Sequence, residues 1–387
     1  MASNQILNPI YIVDGIRTPV GSTFKSLKSF SAAELASFVI DEMCCRYSNI
    51  KKEVDQVILG HTVSAGTGQS MARHAVSLSE LDIETPAFSV NSVCGSGLQS
   101  VILGAQAILS NQANLILAGG SESASHNPQI IKRGNDSVES LLVDGLSCVM
   151  SDAHMGELAE NLAKEFKISR EEQDKLSFES HQKAYKAQEQ GKFDKEIVSV
   201  KKDNGELFSR DERVRKNISF ERLQMLPSSF EENGSITPGN ASSPADAAGI
   251  VLLANDQAIK KYNFKPKAKI LGYATVALDP KQSFLGAIKA TEKCLKKSNL
   301  KKEEIDLFEI GESFASQAVL TKKELNIEDK KFNIFGGDIA IGHPLGSTAT
   351  RILITLLHAL EDQNKKIGLM SICFGSGGGI AMAIERL

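Results

Sequence analysis

No stretch of this 387-residue sequence approaches the roughly 20 uninterrupted apolar residues that a membrane-spanning helix needs. The segment Met1 to Ile10 has neither the basic cluster nor the apolar core of a secretory signal. It also holds no arginine, which argues against a mitochondrial transit segment. The ending Glu385-Arg386-Leu387 only faintly resembles a peroxisomal Ser-Lys-Leu tripeptide. A cytoplasmic protein with no membrane partner is therefore expected. An excess of one charge is missing too. The formal net charge is -3 and the lysines are spread along the chain, so nucleic acid is not an expected partner. The six cysteines, at 44, 45, 94, 148, 294 and 373, include no Cys-x-x-Cys pair and no histidine at ligand spacing. Neither a metal site nor a disulfide framework follows from such a pattern, and reduced thiols in a reducing compartment fit it better.

What is present suffices for a large core: 42% of residues are apolar and 24% charged, over a length that favours two or three domains. The chain also resembles itself. Lys52-Glu53-Val54-Asp55-Gln56-Val57-Ile58-Leu59-Gly60 reads like Glu303-Glu304-Ile305-Asp306-Leu307-Phe308-Glu309-Ile310-Gly311, with Asp55 and Asp306 lying 251 positions apart (306 − 55). At nearly the same offset, Ser96 to Gly120 parallels Gly346 to Gly375. Small residues open each segment, followed by an apolar helix (Leu98 to Leu109; Ile352 to Leu360), a polar break and a strand (Leu115 to Leu117; Ile367 to Cys373). Two parallels at one offset predict duplicated halves. Alternating helical and strand-like runs predict α/β units with mostly parallel central strands covered on both faces. Between about Gly119 and Asn240 the composition shifts to charged and loop-like. Its one long helical stretch, Ser169 to Gln190, opens with the capping box Ser169-Arg170-Glu171-Glu172 and reads as a solvated face. This region reads as an insertion into the first half.

The residues Asn91-Ser92-Val93-Cys94-Gly95-Ser96-Gly97 place a thiol between the strand-like Ala87-Phe88-Ser89-Val90 and the apolar helix that follows. A helix start offers unpaired N–H groups and the positive end of the macrodipole, which favour a thiolate and an oxyanion forming beside it. Free cysteines are also among the most buried residue types, so an inert core position is the competing reading. His343 stands in Gly342-His343-Pro344, among the glycines of 336 to 346, and Cys373 stands before Phe374-Gly375-Ser376-Gly377. Taken singly, the histidine and the second cysteine read as structural. Together, two cysteines and a histidine in glycine-rich turns are the parts of nucleophilic acyl transfer with a second thiol as acid and base.

In order and residue type these blocks resemble the thiolase family. The resemblance runs through Asp14 to Gly21, the Gly60 to Ala75 region with Gly66, Gln69 and Arg73, the Cys94 block, Gly119-Gly120-Ser121-Glu122-Ser123, His154-Met155-Gly156, Gly234 to Asn240, Gly342-His343-Pro344 and Cys373-Phe374-Gly375. It implies a duplicated α/β core layered α-β-α-β-α with an inserted loop domain. The implied boundaries are 1–118 for the first half, continued at about 244–266, then 119–243 for the coenzyme A-binding insertion and 267–387 for the second half. By the same resemblance Cys94 is the acylated nucleophile, His343 its base, and Cys373 the group that removes or returns the α-proton of the second acyl-CoA. Backbone N–H groups of Cys94 and Gly375 hold the acyl oxyanion, while His154, Met155, Ser242 and Arg215 contact coenzyme A. The implied reaction joins two acetyl-CoA into acetoacetyl-CoA and CoA, or runs in reverse. Acyl-CoA thioesters are then substrates, no cofactor or metal is needed, and a homo-oligomer, dimer or tetramer, is expected.

Three departures bear on this. Gly311-Glu312-Ser313-Phe314 stands where the family has Asn-Glu-Ala-Phe, so the asparagine that holds an oxyanion water is absent at Gly311. Ser283-Phe284-Leu285-Gly286-Ala287 replaces a Met-Gly-x-Gly-Pro block beside the acyl pocket, and Ser347, Thr348, Ala349 and Thr350 replace small residues after the histidine. A thiolase of other chain length, or a slow or non-catalytic acyl-CoA-binding homologue, stays open on these grounds. Decarboxylating ketoacyl synthases and hydroxymethylglutaryl-CoA synthases share the nucleophile but lack the Cys373 block.

Overall fold

The computed structural model describes residues 9–131 and 137–387. The chain opens with β1 (Tyr11–Arg17) and β2 (Gly21–Ser22), then α1 (Ala32–Arg46), which starts at a capping box between Ser31 and Glu34. Next come β3 (Gln56–Gly60), α2 (Met71–Leu78), β4 (Ala87–Val90), α3 (Ser96–Leu109) and β5 (Leu115–Ser123). An excursion follows, with ribbons β6 (Gln129–Ile131) with β7 (Ser137–Glu139) and β8 (Ser147–Cys148) with β9 (Ala153–His154), helices α4 (Met155–Glu165) and α5 (Arg170–Glu189), a ribbon of β10 (Val200–Lys201) with β11 (Leu207–Phe208), and the short α6 (Phe220–Gln224). The chain rejoins the sheet at β12 (Ala245–Ala254) and continues through α7 (Asp256–Tyr262), β13 (Ala268–Ala277), α8 (Gly286–Ser298), β14 (Leu307–Ile310), α9 (Ala315–Glu324), α10 (Asp338–Ile341), α11 (Leu345–Asp362), β15 (Ile367–Phe374) and β16 (Gly378–Arg386). Among the described residues no helix is long and apolar enough to cross a membrane.

Strands order as β14-β15-β16-β13-β1-β12-β5-β3-β4, with β2 on β12. The two half-sheets join where β1 pairs with β13, at Tyr11 and Ile12. Helices α3 and α11 lie between the halves, α1 and α2 cover one outer face, and α8 and α9 cover the other, giving the expected five layers with a buried apolar cluster in each helical layer. The expectation of mostly parallel strands is corrected. Only β3–β4, β3–β5 and β14–β15 run parallel, and every other sheet neighbour is antiparallel. The run Gly375 to Gly377 between β15 and β16 is too short for anything but an antiparallel return. Strands buried on both faces read as continuous apolar runs in either orientation, so the sequence pattern does not distinguish the two.

The duplication is visible in hydrogen bonds. Asp55 Oδ2 accepts from the N–H groups of Asn114 and Leu115 at 2.7 and 3.0 Å, and Asp306 Oδ2 accepts from those of Lys366 and Ile367 at 2.9 and 3.0 Å. In each half an aspartate before one parallel strand thus pins the start of its neighbour. The excursion leaves after Ser123, past the expected 118/119 boundary, because β5 keeps pairing with β12 up to Ser123 and Asp246. Helix α5 also differs from expectation. Its capping box is present, but Gln173, Asp174, Ser177, Ser180 and His181 are buried. Ser180 donates to Glu312 at 2.7 Å and Asp174 accepts from Asn240 at 3.0 Å. Polar groups buried with partners carry no apolar periodicity, so a packed face was read as a wet one.

The halves touch closely enough to demand glycine. A Cβ on Gly120 would stand 2.0 Å from the carbonyl oxygen of Gly346, which is backbone and cannot swing aside. Gly120→Ala is therefore expected to cost at least about 3 kcal/mol, at the upper end for overpacked cores. Urea unfolding of the variant beside the parent checks this, and a midpoint within error of the parent would refute it.

Candidate active site

β4 delivers the chain to a turn in which Val93 adopts φ 49°, a left-handed conformation that is strained for a β-branched residue. The turn is held from three sides. Val93 N–H donates to Asn91 Oδ1 at 2.9 Å, and the Val93 carbonyl accepts from Thr62 Oγ1 at 3.1 Å and Ser96 Oγ at 2.6 Å. Cys94, 8% exposed, is thereby fixed just before α3, where the sequence placed it. Its thiol is not a resting thiolate, however. Burial pushes it up, with Cys373 and Asp338 adding to the effect, and the N–H groups of Gly375 and of Cys94 itself oppose this only in part. Desolvation outweighs the helix-start effect invoked from sequence, so the sulfur needs a base.

One stands beside it: His343 Nε2 lies 3.1 Å from Cys94 Sγ. The His343 backbone is tied to the end of the excursion by its N–H, which donates to the Ser243 carbonyl at 2.9 Å. Burial lowers its imidazole below the ordinary range, against the opposing pull of Asp338, and so favours the neutral ring that a base requires. His343 Nδ1 is 2.9 Å from Thr348 Oγ1. If Nδ1 carries the proton and donates to that hydroxyl, Nε2 is free to accept from Cys94. Two buried groups steady this loop. Glu122 accepts from the N–H groups of Gly346, Thr62 and Val63 at 2.8, 3.0 and 3.2 Å. Asp338 accepts from Glu312 N–H at 2.8 Å and pairs with Arg351 at 2.6 Å.

Cys373 is the penultimate residue of β15 and is 2% exposed. Burial pushes its thiol up to about 12, and the foremost opposing influence is the Ser313 hydroxyl, 3.9 Å from the sulfur. The next residue, Phe374, locks the two cysteine segments together. Its ring fills the space over Gly95 and Gly378, where an added Cβ would come within 2.7 and 1.9 Å of it.

Cys94, His343, Cys373 and Gly375 all face one small cavity, and His154, Met155 and Ser242 line it as well. His154 caps α4, its Nδ1 accepting from Gly156 N–H at 2.9 Å, and its ring stacks on Phe230 at 4.8 Å. Arg215 and Gly311 lie away from the cavity wall. Arg215 lies beside α5, its N–H donating to His181 Nδ1 at 3.3 Å, and it forms no ion pair among the described residues. Gly311 is held by its backbone and hemmed in on its side-chain side. Its N–H donates to the Ser371 carbonyl at 2.8 Å, and a Cβ would stand 2.5 Å from Ile372 Cγ1, so it offers no oxyanion donor and leaves no room for an asparagine unless Ile372 moves. The cavity wall carries Ser313 instead.

Sequence reasoning assigned no role to Thr348, Glu122 or the Asp338–Arg351 pair. Thr348 was recoverable in principle, since it follows His343 by five residues on the first turn of the next helix, but the other two act through folded contacts distant in sequence. Phe284 was noted only as part of a replaced block. It is 2% exposed, lines the cavity, and meets Phe314 edge to face at 5.4 Å.

A model of the thiolase N-terminal domain matches residues 10–257, and one of the thiolase C-terminal domain matches residues 264–386. A probable acetyl-CoA acyltransferase of Staphylococcus aureus is 39% identical over 389 aligned residues, covering 97% of this chain and 99% of its own. An acetyl-CoA acetyltransferase of Chromobacterium violaceum is 40% identical at the same coverage. Among solved structures, the Bacillus anthracis acetyl-CoA acetyltransferase superposes with a TM-score of 0.95 at 33% identity, covering 98% of this chain and 99% of that one. Human mitochondrial 3-ketoacyl-CoA thiolase in complex with CoA gives 0.94 at 36% identity and 98% of each chain.

Proposed function

Because this chain belongs to the thiolase family, we propose that it transfers acyl groups between coenzyme A thioesters, and specifically that it interconverts two acetyl-CoA with acetoacetyl-CoA plus CoA. The observation that carries this reading is the convergence of Cys94, His343 and Cys373, with the Gly375 N–H, on one small buried cavity. Cys94 is the nucleophile. His343 Nε2 takes its proton as the sulfur attacks the thioester carbon, and the N–H groups of Cys94 and Gly375 hold the oxyanion that forms there. The CoA sulfur departs as a thiolate and takes a proton from Cys373, leaving acetyl-Cys94, a Cys373 thiolate and a protonated His343.

In the second half-reaction the Cys373 thiolate removes an α-proton from a second acetyl-CoA, and the His343 imidazolium supports the enolate oxygen. The carbanion attacks acetyl-Cys94, Cys94 leaves as a thiolate, and the proton on His343 returns to it. Acyl and proton transfers account for the whole cycle, so no metal or redox cofactor has a step to perform. His154, Met155 and Ser242 would flank the pantetheine arm. Arg215, free of a carboxylate partner among the described residues, would meet the adenine end. A cytoplasmic homo-oligomer, dimer or tetramer, belongs to the same proposal.

The acetyl preference rests on the aromatic wall. Phe284, Phe314 and Phe230 form a run of edge-to-face contacts at 5.4 and 6.5 Å, and two of the three rings occupy the cavity surface where an acyl tail would extend. Cleavage of acetoacetyl-CoA, followed by loss of its enolate absorbance, is expected to exceed cleavage of 3-ketoacyl-CoAs of eight or more carbons by about 10- to 200-fold, the range for one or more methylenes that a pocket rejects. Phe284→Ala should narrow that ratio by admitting the longer substrates. Equal rates in the parent would replace the acetyl reading with that of a broad 3-ketoacyl-CoA thiolase.

A further inference from the structure

Position 311 has no side chain and position 313 carries a hydroxyl, and the two differences fall in one turn beside Cys373. Of the four residues from Gly311 to Phe314, only Ser313 presents a polar side chain to the cavity. Gly311 has none to present, and Phe314 is apolar. Glu312 turns away, accepting from Ser180 Oγ at 2.7 Å and Asn333 Nδ2 at 2.7 Å. The Ser313 hydroxyl has a single partner among the described residues, the Cys373 sulfur. Its backbone is clamped so that the hydroxyl stays aimed. The Ser313 carbonyl accepts from Ser242 N–H at 3.1 Å and Ser242 Oγ at 2.8 Å, and Ala315 N–H donates to the Asn240 carbonyl at 2.8 Å.

We propose that Ser313 is a positioning residue for Cys373, its hydroxyl donating to the sulfur while that sulfur is a thiolate and holding it toward the α-carbon of the second acyl-CoA. The inference rests on the thiolase reading and adds to it a residue that works through Cys373 and forms no bond with substrate. Atoms balance simply. In Cys373–S⁻ + H–Cα → Cys373–SH + Cα⁻, the Ser313 proton stays on its oxygen throughout, and its hydrogen bond is strongest to the thiolate before the transfer and weakens as the sulfur gains the proton. The need for such a donor is plain from the surroundings. The titratable groups facing Cys373 are Asp338 of α10, Cys94 before α3, His343 before α11 and His154 before α4, and the Asp338 charge works against a second anion. With burial already raising the thiol, Ser313 is the foremost group that favours the charged sulfur.

The test uses the full-length protein in two arms. In a Cys94→Ala background, alkylation of Cys373 by iodoacetamide is followed by peptide mass across pH, with and without Ser313→Ala. Loss of a hydrogen bond to a charged acceptor should raise the midpoint by about one unit or more. Ser313→Thr, which keeps the hydroxyl, should restore the original midpoint. In the Cys94-containing protein, Ser313→Ala should leave acetylation of Cys94 by acetyl-CoA at the parent level and lower steady-state cleavage of acetoacetyl-CoA roughly tenfold or more. An unchanged alkylation midpoint, a Thr variant that behaves like Ala, or cleavage within twofold of the parent would overturn the proposal and leave the thiolase reading standing. Absence of any acetyl mass on the parent's Cys94 would instead sink the thiolase reading, while the alkylation arm would still report on the Ser313–Cys373 pair.

Discussion

Cys94→Ala is expected to carry no acetyl mass after incubation with acetyl-CoA and an acid quench, and to lose acetoacetyl-CoA cleavage by a factor of about 10⁴ or more. Removing a nucleophile that acts as a unit with its base costs on that scale. The reasoning is geometric: the Cys94 sulfur is the one with His343 Nε2 at 3.1 Å and backbone N–H groups of Gly375 and Cys94 against it. Cys373 has no such base, its polar neighbour being the Ser313 hydroxyl. Cys373→Ala should therefore separate the halves of the reaction. CoA is a thiol of ordinary acidity and leaves as a thiolate unaided, so the Cys373 variant should still be acetylated at Cys94. It should fail at condensation and cleavage, because nothing remains to move the α-proton. The measurement is the mass of the two cysteine peptides beside steady-state rates. A label mainly on Cys373, or equal loss of labelling in both variants, would reverse or dissolve this division of labour.

How much of this was legible beforehand follows from where each constraint lives. The Cys94 turn is local: a strand, a run of small residues and an apolar helix specify it, and β4 and α3 formed at those residues. The duplication was legible because Asp55 and Asp306 sit in matching local patterns, and each pins the strand that begins about 60 residues later. Strand direction was not, because apolar residues on a doubly covered strand carry no information about the neighbour's orientation. The buried face of α5 was missed for the converse reason, since its polar side chains acquire partners only in the fold. Gly311 shows the limit of carrying a motif across by resemblance. The missing asparagine reads as a missing donor, but nothing in the motif shows that Ile372, far away in sequence, occupies the space against that position. Ser313, two residues on, is the group that faces the cavity.

His343→Ala should impair both halves, lowering the rate of Cys94 acetylation by roughly 10²–10⁴, the range for a positioned general base. The pH dependence makes the assignment sharper. Burial holds the His343 imidazole below its ordinary value, so the ring is neutral and able to accept a proton throughout the neutral range, and kcat/KM for acetylation should fall only as pH drops below the usual histidine titration. Burial holds the Cys94 thiol up, so on the alkaline side no second rise is expected while His343 is present. Remove His343 and the sign changes: the residual acetylation can use only the small fraction of spontaneous Cys94 thiolate, and that fraction grows about tenfold per pH unit below the thiol's titration. The His343→Ala profile should therefore climb steadily into alkali where the parent's is flat. Thr348→Val, which keeps the volume but removes the acceptor for Nδ1–H, should lie between the two, with a smaller loss and the parent's shape, because the base is still there but held less often in the tautomer that leaves Nε2 free. A flat alkaline profile in His343→Ala at parent rates would mean that Cys94 is deprotonated by some other group, and the 3.1 Å contact would then be packing alone.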